Sequence, residues 1–331
     1  MNRKERRAAA SRDNGQLIEA GLEYHRAGRY AEAEGQYRLV LSRDRNHPDA
    51  LHLLGLLAHQ GGRNDLAEQL IAQAIEIKAE VSAFHNSLGM TRDAVGRTED
   101  SLLSFDRAIA LDPADPNARA NRANALRRLG RFDESIAELD ALIADHPDFP
   151  QAWSYRGNSL REAGRPEQAL ADFDKALTLA PQYIEAHGNR GNALLDLERY
   201  NESVHAYQRA LSLHPRAPGM HYNLGVVLHR LLRYVEAIAA FDQALSMAPT
   251  MTEALIDRAE TQRALGRPDD AAESLARAVT QRPEMAIAWY RQALVLAELG
   301  RTEDALASLN SVLSIDPTHA EALSKRAALL S

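Results

Sequence analysis

Apolar residues recur along this chain with the spacing of an amphipathic α-helix, and the same apolar and polar pattern returns every 34 residues. With Asn14 as position 1, successive units begin at residues 14, 48, 82, 116, 150, 184, 218, 252 and 286. Position 8 is always Gly or Ala, position 20 is always Ala or Ser, and position 24 is always large and apolar or aromatic. Small residues facing large ones at helical spacing predict two closely packed antiparallel helices in each unit.

Prolines and glycines mark the joints between these helices. All 13 prolines fall at three positions of the unit, seven of them at position 32, and seven glycines occupy position 15. Proline inside a helix costs about 3 kcal/mol, and glycine suits the left-handed residue that follows a helix end. We therefore predict a helix, a turn, a helix and a turn in each unit. In the first unit the predicted helices are residues 16–30 and 31–41.

Small residues at positions 8, 20 and 27, an apolar or aromatic residue at position 24 and proline at position 32 together resemble the tetratricopeptide repeat. The resemblance covers nine tandem units over residues 14–319. It implies an all-α fold, a right-handed α-solenoid superhelix of nine helix–turn–helix units, with a partial unit at residues 320–331 as a C-terminal capping helix. Arg45 and Ala79 stand where the repeat has proline, and Arg92 is unusual at position 11. These departures bear on the helix ends.

Composition agrees with a helical protein, since hydrophobic residues make up 45% of the 331 residues and aromatic residues only 5%. The sequence has no cysteine, which excludes disulfides and thiolate zinc sites. The net charge of −7 gives no sign of the basic face that nucleic-acid binding usually needs. No apolar run suits a membrane span or a signal peptide. We therefore expect a cytoplasmic protein with no nucleic-acid partner.

Residues 1–13 are expected to form a basic, flexible N-terminal tail. They contain five basic and two acidic side chains, a net charge of +3, which leaves −10 for the rest of the chain. Charged termini are usually solvated, so we expect this segment to be frayed.

Arginine occurs at position 7 in four units, on the face that should pack against the preceding unit. Position 25 of the preceding unit then holds an aspartate, and the pairs are Arg122 with Asp106, Arg156 with Asp140, Arg190 with Asp174 and Arg258 with Asp242. Only Arg326, preceded by Asn310, departs from this rule. Because a guanidinium group matches a carboxylate, we predict bidentate bridges between neighbouring units.

Asparagines collect at positions 6 and 9 of the first helices, which line the inner, concave face in this architecture. Asparagine is a mediocre helix former, and its amide both donates and accepts, which suits the backbone of an extended peptide. The arrangement resembles the asparagine ladder in the repeat arm of bacterial O-linked N-acetylglucosamine transferase-like proteins, which holds substrate polypeptides. The predicted peptide-binding residues are Asn86, Asn121, Asn124, Arg127, Asn158, Arg161, Asn189, Asn192 and Asn223.

An alternative is that these amides tie neighbouring helices together or are solvated. At position 12, Arg127, Arg161, Arg263 and His229 would suit an acidic stretch of a ligand. The lysine-based carboxylate clamp of co-chaperones is disfavoured, because none of the four lysines stands at a clamp position.

No phosphate-binding loop, GxGxxG, HExxH or nucleophile-elbow motif occurs in the sequence. His25 and His59 share position 12 of adjacent units. Helices packed about 8–10 Å apart do not readily gather zinc ligands at about 2 Å. We therefore expect no enzymatic activity, no cofactor and no metal.

These observations predict a non-enzymatic protein–protein interaction scaffold, or adaptor, that binds an extended peptide in its concave groove, chiefly through units three to seven. One alternative is the substrate-recruiting N-terminal arm of a longer glycosyltransferase or sulfotransferase. Another is a self-assembling scaffold that forms homo-oligomers through its end repeats, where Leu323, Ala327 and Leu330 would present an apolar face.

Overall fold

The computed structural model describes the backbone of residues 3–331 and the side chains of residues 12–331. Every regular element in this part of the chain is an α-helix. The helices fall into two compact units, the first ending at Arg165 and the second beginning at Pro166. The all-α helical repeat fold predicted from the 34-residue period is therefore confirmed.

The first compact unit contains four helical hairpins and the first helix of the fifth repeat. Odd-numbered helices are the first helices of their repeats, and even-numbered helices are the second. The bounds are α1 (Arg3–Arg26), α2 (Tyr30–Arg43), α3 (Pro48–Gln60), α4 (Asn64–Ile77), α5 (Ser82–Ala94), α6 (Thr98–Leu111), α7 (Pro116–Arg128), α8 (Phe132–Asp145) and α9 (Pro150–Glu162).

The second compact unit begins with the second helix of the fifth repeat, continues with four hairpins and ends with a final helix. Its helices are α10 (Pro166–Leu179), α11 (Ile184–Asp196), α12 (Tyr200–Leu213), α13 (Pro218–Arg230), α14 (Tyr234–Met247), α15 (Thr252–Ala264), α16 (Pro268–Gln281), α17 (Ala286–Glu298), α18 (Thr302–Ile315) and α19 (Ala320–Leu330). The segment expected to cap the array is thus helical.

The helix bounds predicted for the first repeat are wrong at both ends of α1. This helix begins at Arg3, inside the segment expected to be a flexible tail, because three consecutive alanines and several arginines favour a helix and no glycine precedes Gly15. It ends at Arg26, before Gly28, whose φ of +72° allows the left-handed turn into α2. The side chains of residues 1–11 and the backbone of residues 1 and 2 lie outside the described part.

Second helices end at the same repeat position whether or not proline follows. α2 and α4 lack proline at position 32, yet each has 14 residues, like α6. In α2 the Asp44 N–H donates to the Val40 carbonyl at 2.9 Å, and in α6 the Asp112 N–H donates to the Ala108 carbonyl at the same distance. Proline therefore marks this helix end but is not required for it.

Close packing within the hairpin of α11 and α12 follows the predicted pairing of positions 8 and 24. A Cβ atom at Gly191 would lie 2.8 Å from Cζ of Tyr207, which is fully buried, so only glycine fits without displacing that ring. Ser203, at position 20, donates its hydroxyl to the Gly191 carbonyl at 2.8 Å. The small residues thus let α11 and α12 approach closely, and the serine uses a backbone acceptor at the contact.

Each compact unit has its own hydrophobic core between adjacent helices. In the first, Ala120, Leu139, Leu142, Ile143 and Ala152 join α7, α8 and α9. In the second, one cluster runs from α12 to α18, and its large buried side chains are Tyr207, Phe241, Leu255 and Leu275. Burying one such side chain stabilises the fold by about 1.5–3 kcal/mol, so these clusters hold successive repeats together.

The Arg–Asp pairing between repeats is confirmed, but its geometry differs from the prediction. Arg190 Nε lies 2.6 Å from Asp174 Oδ1, and Arg122 divides its guanidinium between Asp106 and Glu138, at 2.6 Å each. The Arg258 Nε contact with Asp242, at 2.7 Å, is a close ion pair in which Nε is not aligned as a hydrogen-bond donor. The four aspartates are about half exposed, so each bridge contributes less than about 1 kcal/mol.

Two arginines that did not fit the sequence pattern also have partners. Arg92, unusual at position 11, reaches the second helix of the preceding repeat, where its Nε donates to Glu68 Oε1 at 2.9 Å. Arg326, which has no aspartate to meet, donates to Asn310 Oδ1 at 3.2 Å. The contact between positions 7 and 25 therefore forms with an amide as well as with a carboxylate.

Candidate functional site

Successive first helices pack against each other within each compact unit, and this side carries the predicted site. In the first unit α3, α5, α7 and α9 are in contact in that order, and in the second α11, α13, α15 and α17 are. Position 5 of one first helix meets position 6 of the next. Three such contacts are His52 Nε2 with Ser87 Oγ at 2.8 Å, Asn86 with Asn121 at 3.0 Å, and Tyr222 with Asp257 at 2.7 Å.

Asn86 and Asn121 are brought together as one amide pair on α5 and α7. The Asn121 Nδ2 group donates to Asn86 Oδ1, and both side chains are half-buried. The alternative that some amides tie neighbouring helices together is correct for this pair. Each amide has two N–H donors and a two-lone-pair oxygen, so this single bond leaves hydrogen-bonding capacity for another molecule.

Asn124 and Arg127 lie one helical turn apart on α7 and interact. Arg127 Nε donates to Asn124 Oδ1 at 3.2 Å, and the other end of its guanidinium forms an ion pair with Glu162 of α9. The Arg127 charge is therefore neutralised locally, which weakens the prediction that it attracts an acidic ligand. The Nδ2 group of Asn124 makes no hydrogen bond to residues 12–331.

Asn158 and Arg161 are half-buried on α9. The Asn158 side chain has no hydrogen-bonding partner among residues 12–331. Among the predicted asparagines of the first unit, Asn158 is thus the one whose side-chain amide makes no hydrogen bond to residues 12–331.

In the second unit, Asn192 has a structural role that the sequence did not reveal. Its Oδ1 accepts from the Tyr207 hydroxyl at 2.6 Å and from Asn223 Nδ2 at 3.2 Å. The spacing of 15 residues between position 9 and position 24 was available as a signal, because Tyr207 needs a partner when buried. Asn189 is half-buried on α11 and its side chain has no hydrogen-bonding partner among residues 12–331.

The two other position-12 residues are engaged within the second unit. His229 Nδ1 lies 2.9 Å from Thr261 Oγ1, and Arg263 Nε donates to Glu298 Oε2 at 2.7 Å. An acidic ligand would have to compete with these partners. These partners weaken the expectation that position 12 supplies available positive charge, which stays a prediction.

A row of arginines that the predicted site does not include occupies position 16, directly before each second helix. Six of the nine pair with an acid three residues later; Arg131 Nε, for example, donates to Glu134 Oε1 at 2.7 Å. The signal was present, since every repeat has this arginine: Arg29, Arg63, Arg97, Arg131, Arg165, Arg199, Arg233, Arg267 and Arg301. These exposed pairs hold the turn between helices and leave little charge for a ligand.

The histidines considered as metal ligands have separate partners. His25 Nε2 lies 2.9 Å from Gln60 Oε1, and His59 Nδ1 lies 2.9 Å from Asn64 Oδ1. Within residues 12–331 no three His, Asp or Glu side chains are grouped as metal ligands would be.

Comparison with known protein families agrees with the repeat geometry. The family model described as tetratricopeptide repeat matches residues 18–82, 86–142, 121–184, 189–252 and 256–320, which is most of the chain. This chain belongs to the tetratricopeptide repeat (TPR) family. Repeats of this family form protein-interaction surfaces, so the broad assignment to protein binding holds. The resemblance of the asparagines to a transferase repeat arm stays a prediction.

Several solved structures are similar to this TPR protein. PilF of Pseudomonas aeruginosa is 19% identical over 66% of this chain and 98% of its own, with a TM-score of 0.57. A thermophilic TPR protein of Thermus thermophilus is 24% identical over 56% and 99%, with a TM-score of 0.49. YrrB, a TPR protein with an unusual peptide-binding site, is 26% identical over 57% and 97%, with a TM-score of 0.49. No curated protein sequence matches this chain.

No helix in the described part of this TPR protein has the combination of length and apolar character needed to span a bilayer. The cytoplasmic location stays a prediction.

Proposed function

We propose that this TPR protein is a non-enzymatic adaptor that binds extended segments of partner proteins on the inner side of its first helices. One observation supports the proposal most strongly. All seven predicted asparagines lie half-exposed on first helices, four of them on α5, α7 and α9 of the first unit and three on α11 and α13 of the second. None is fully buried and none lies on a second helix.

The amides have the capacity that an extended peptide requires. Asn158 and Asn189 have no partner among residues 12–331, and Asn121 and Asn124 each retain at least one N–H. A peptide backbone presents alternating N–H and C=O groups, which side-chain amides bind whatever the peptide sequence. Asn192 contributes least, because its oxygen already accepts two hydrogen bonds. Binding on the first unit would therefore depend chiefly on Asn121, Asn124 and Asn158, and binding on the second unit on Asn189.

The test begins with a phage-displayed library of unstructured 12-residue peptides panned on the full-length protein. Titration calorimetry then compares a selected peptide with wild type, with Asn158→Ala, and with the combined Asn121→Ala, Asn124→Ala, Asn158→Ala and Asn189→Ala variant. The single change should weaken binding about fivefold, as one neutral hydrogen bond is lost. The combined change should abolish binding while circular dichroism shows unchanged helicity.

The matched control is Asn201→Ala, which removes an exposed amide from second helix α12. It should bind the peptide as wild type does. Unchanged affinity in the combined variant, or an equal loss in Asn201→Ala, would remove the inner-face amides from the binding site.

The two alternative roles stay predictions. A concentration series in sedimentation velocity tests self-assembly; Leu323 and Leu330 of α19 are 41% and 69% exposed and would be the residues to replace. Association with a catalytic domain is tested by sequencing the gene beyond the codon for Ser331.

A further inference from the structure

A cleft in the second compact unit lies outside the predicted amide site. Its volume is about 230 Å³, and its lining residues belong to α13, α14, α15 and α17: Val226, His229, Arg230, Phe241, Asp257, Glu260 and Arg291. Small-molecule sites usually have about 300–1,000 Å³, so this cleft is smaller than a typical small-molecule site.

Repeat seven, which contributes to the cleft, lacks a polar pair that is present in the preceding repeat. In repeat six the Tyr207 hydroxyl at position 24 bonds to Asn192 at position 9. The same positions in repeat seven hold Phe241 and Val226, which have no polar group to place there. Phe241 is fully buried and closes the floor, so the polar character of the cleft comes from its walls.

Hydrogen bonds indicate which ring nitrogen of His229, a residue of the cleft lining, is left as an acceptor. Thr261 Oγ1 donates its single proton to the Asp257 carbonyl oxygen at 2.7 Å. The hydroxyl oxygen can then only accept in its 2.9 Å contact with His229 Nδ1, so Nδ1 carries the ring proton. In the neutral imidazole Nε2 is therefore an acceptor, and it has no hydrogen-bonding partner among residues 12–331.

The two carboxylates of the cleft are also incompletely satisfied. Asp257 Oδ2 accepts from the Tyr222 hydroxyl at 2.7 Å, and its Oδ1 has no donor among residues 12–331. Burial raises the pKa of the Asp257 carboxyl, against the opposing effect of the Tyr222 hydrogen bond. Glu260 Oε2 lies 3.4 Å from Arg291 Nη1, a long contact between side chains that are 40% and 37% exposed. A donor group entering the cleft would find acceptors on three residues.

From this geometry we propose that the cleft binds the side chain of an arginine in the partner protein. A planar guanidinium has five N–H donors and no acceptor, so it can serve Asp257 Oδ1, Glu260 and His229 Nε2 together. Its aliphatic stem would lie against Val226. Arg291, held by a long and exposed contact, is the group that would move away from Glu260. This inference deepens the proposed function, since it rests on the partner being a protein segment.

The probe is N-acetyl-arginine amide, titrated into the full-length protein while NMR follows the imidazole signal of His229. The expected result is a saturable shift. N-acetyl-lysine amide should bind several-fold more weakly, and the neutral isostere N-acetyl-citrulline amide should cause no saturable shift. Asp257→Asn keeps an acceptor for Tyr222 but loses the charge, and it should weaken arginine binding about tenfold. Glu273→Gln, which neutralises an exposed carboxylate on α16, should leave binding unchanged.

Equal binding of the citrulline and arginine probes, tighter binding of lysine, or no effect of Asp257→Asn would overturn the assignment. Because the probe is a single capped residue, this result does not depend on the amide face. Loss of library-peptide binding only in the asparagine variants, with no arginine titration, would support the adaptor role and reject the cleft. An arginine titration without any amide-dependent peptide binding would do the reverse.

Discussion

The inner side of repeats three to five in the first unit and that of repeats seven to nine in the second use one backbone geometry with different chemistry. In both, position 5 of a first helix touches position 6 of the next. In the first region the contact joins the amides of Asn86 and Asn121, and in the second it joins the Tyr222 hydroxyl to the Asp257 carboxylate. The repeat therefore decides which positions meet, and the side chains at those positions decide what each region can bind.

A third version of the contact lies in the first unit, where His52 meets Ser87. The His52 ring is buried and lies 4.6 Å from the Phe84 ring, so this pair serves packing rather than binding. Across the three versions the same positions hold a packing contact, a neutral amide pair and a phenol–carboxylate pair. The repeat position of a contact thus does not by itself identify a binding residue. The side chain must also be exposed and must have hydrogen-bonding groups that no other residue uses.

The largest expected effect comes from emptying position 24, and it tests whether this position stabilises the two units to the same extent. Phe105→Ala in the first unit and Phe241→Ala in the second each empty a position-24 site that is at most 1% exposed. Each should lower the free energy of unfolding by about 3–5 kcal/mol, as cavity formation does for buried phenylalanine. Urea titrations followed by circular dichroism measure the loss.

Leu103→Ala on α6 is the control for that pair, since its side chain is 68% exposed. It should change the free energy of unfolding by less than about 0.5 kcal/mol. If only one of the two phenylalanine variants lost free energy of unfolding, the residue at position 24 would not stabilise the two units equally.

The next effect concerns pH and the His52 version of the contact. Burial lowers the pKa of His52 from 6.5 to about 4, while Asp49 opposes the shift. Below pH 6.5 the folded protein binds fewer protons at this ring than the unfolded chain. The stability that this ring contributes is therefore present above pH 6.5 and is lost as the pH falls toward 4.

Between pH 7 and pH 4.5, the wild type should lose about 2 kcal/mol more of its free energy of unfolding than His52→Gln, which cannot be protonated. Urea titrations of both proteins at the two pH values give this difference, in which other titrating groups cancel. Parallel losses would mean that His52 is not held neutral in the folded protein.

Double-mutant cycles on the two half-buried versions of the contact should reveal a smaller effect. Tyr222→Phe with Asp257→Ala should give a coupling free energy of about 1.5 kcal/mol, because the acceptor that is removed is a carboxylate. Asn86→Ala with Asn121→Ala should give about 0.5 kcal/mol, as expected for two neutral and half-exposed amides. Unfolding of the four single and two double variants measures both values. Coupling that is larger for the amide pair would contradict the ranking.

The smallest effect is expected at the bridges between repeats. Arg190→Met removes a bridge to Asp174, which is 53% exposed, and should cost less than about 1 kcal/mol. The loss should shrink in 0.5 M salt, because the pair is screened by ions. Arg122→Met should cost more, since Arg122 holds both Asp106 and Glu138. A salt-independent loss at Arg190 would mean that packing of the side-chain stem dominates.

Periodic features of the fold could be predicted from the sequence, whereas the local engagement of each candidate residue could not. The pairing of Gly191 with Tyr207 follows from small and large residues at fixed positions, and the Arg190–Asp174 bridge follows from their joint occurrence. The start of α1 at Arg3 was missed because it lies before the first repeat, where only local helix propensity acts. Position 9 alone does not predict the role of Asn192, because that role depends on the hydroxyl of Tyr207 at position 24 of the same repeat.

The sequence by itself determined the hairpin, its period and the positions that meet, because helix geometry and the placement of glycine and proline repeat without insertion. Tertiary structure decided which polar groups remain available, because that depends on distances between side chains of different helices. Arg127 and His229 occupy the same repeat position, yet one is paired with Glu162 and the other bonds to Thr261 beside an open cleft. A binding site is defined by such residual capacity, which exists only after neighbouring repeats have packed.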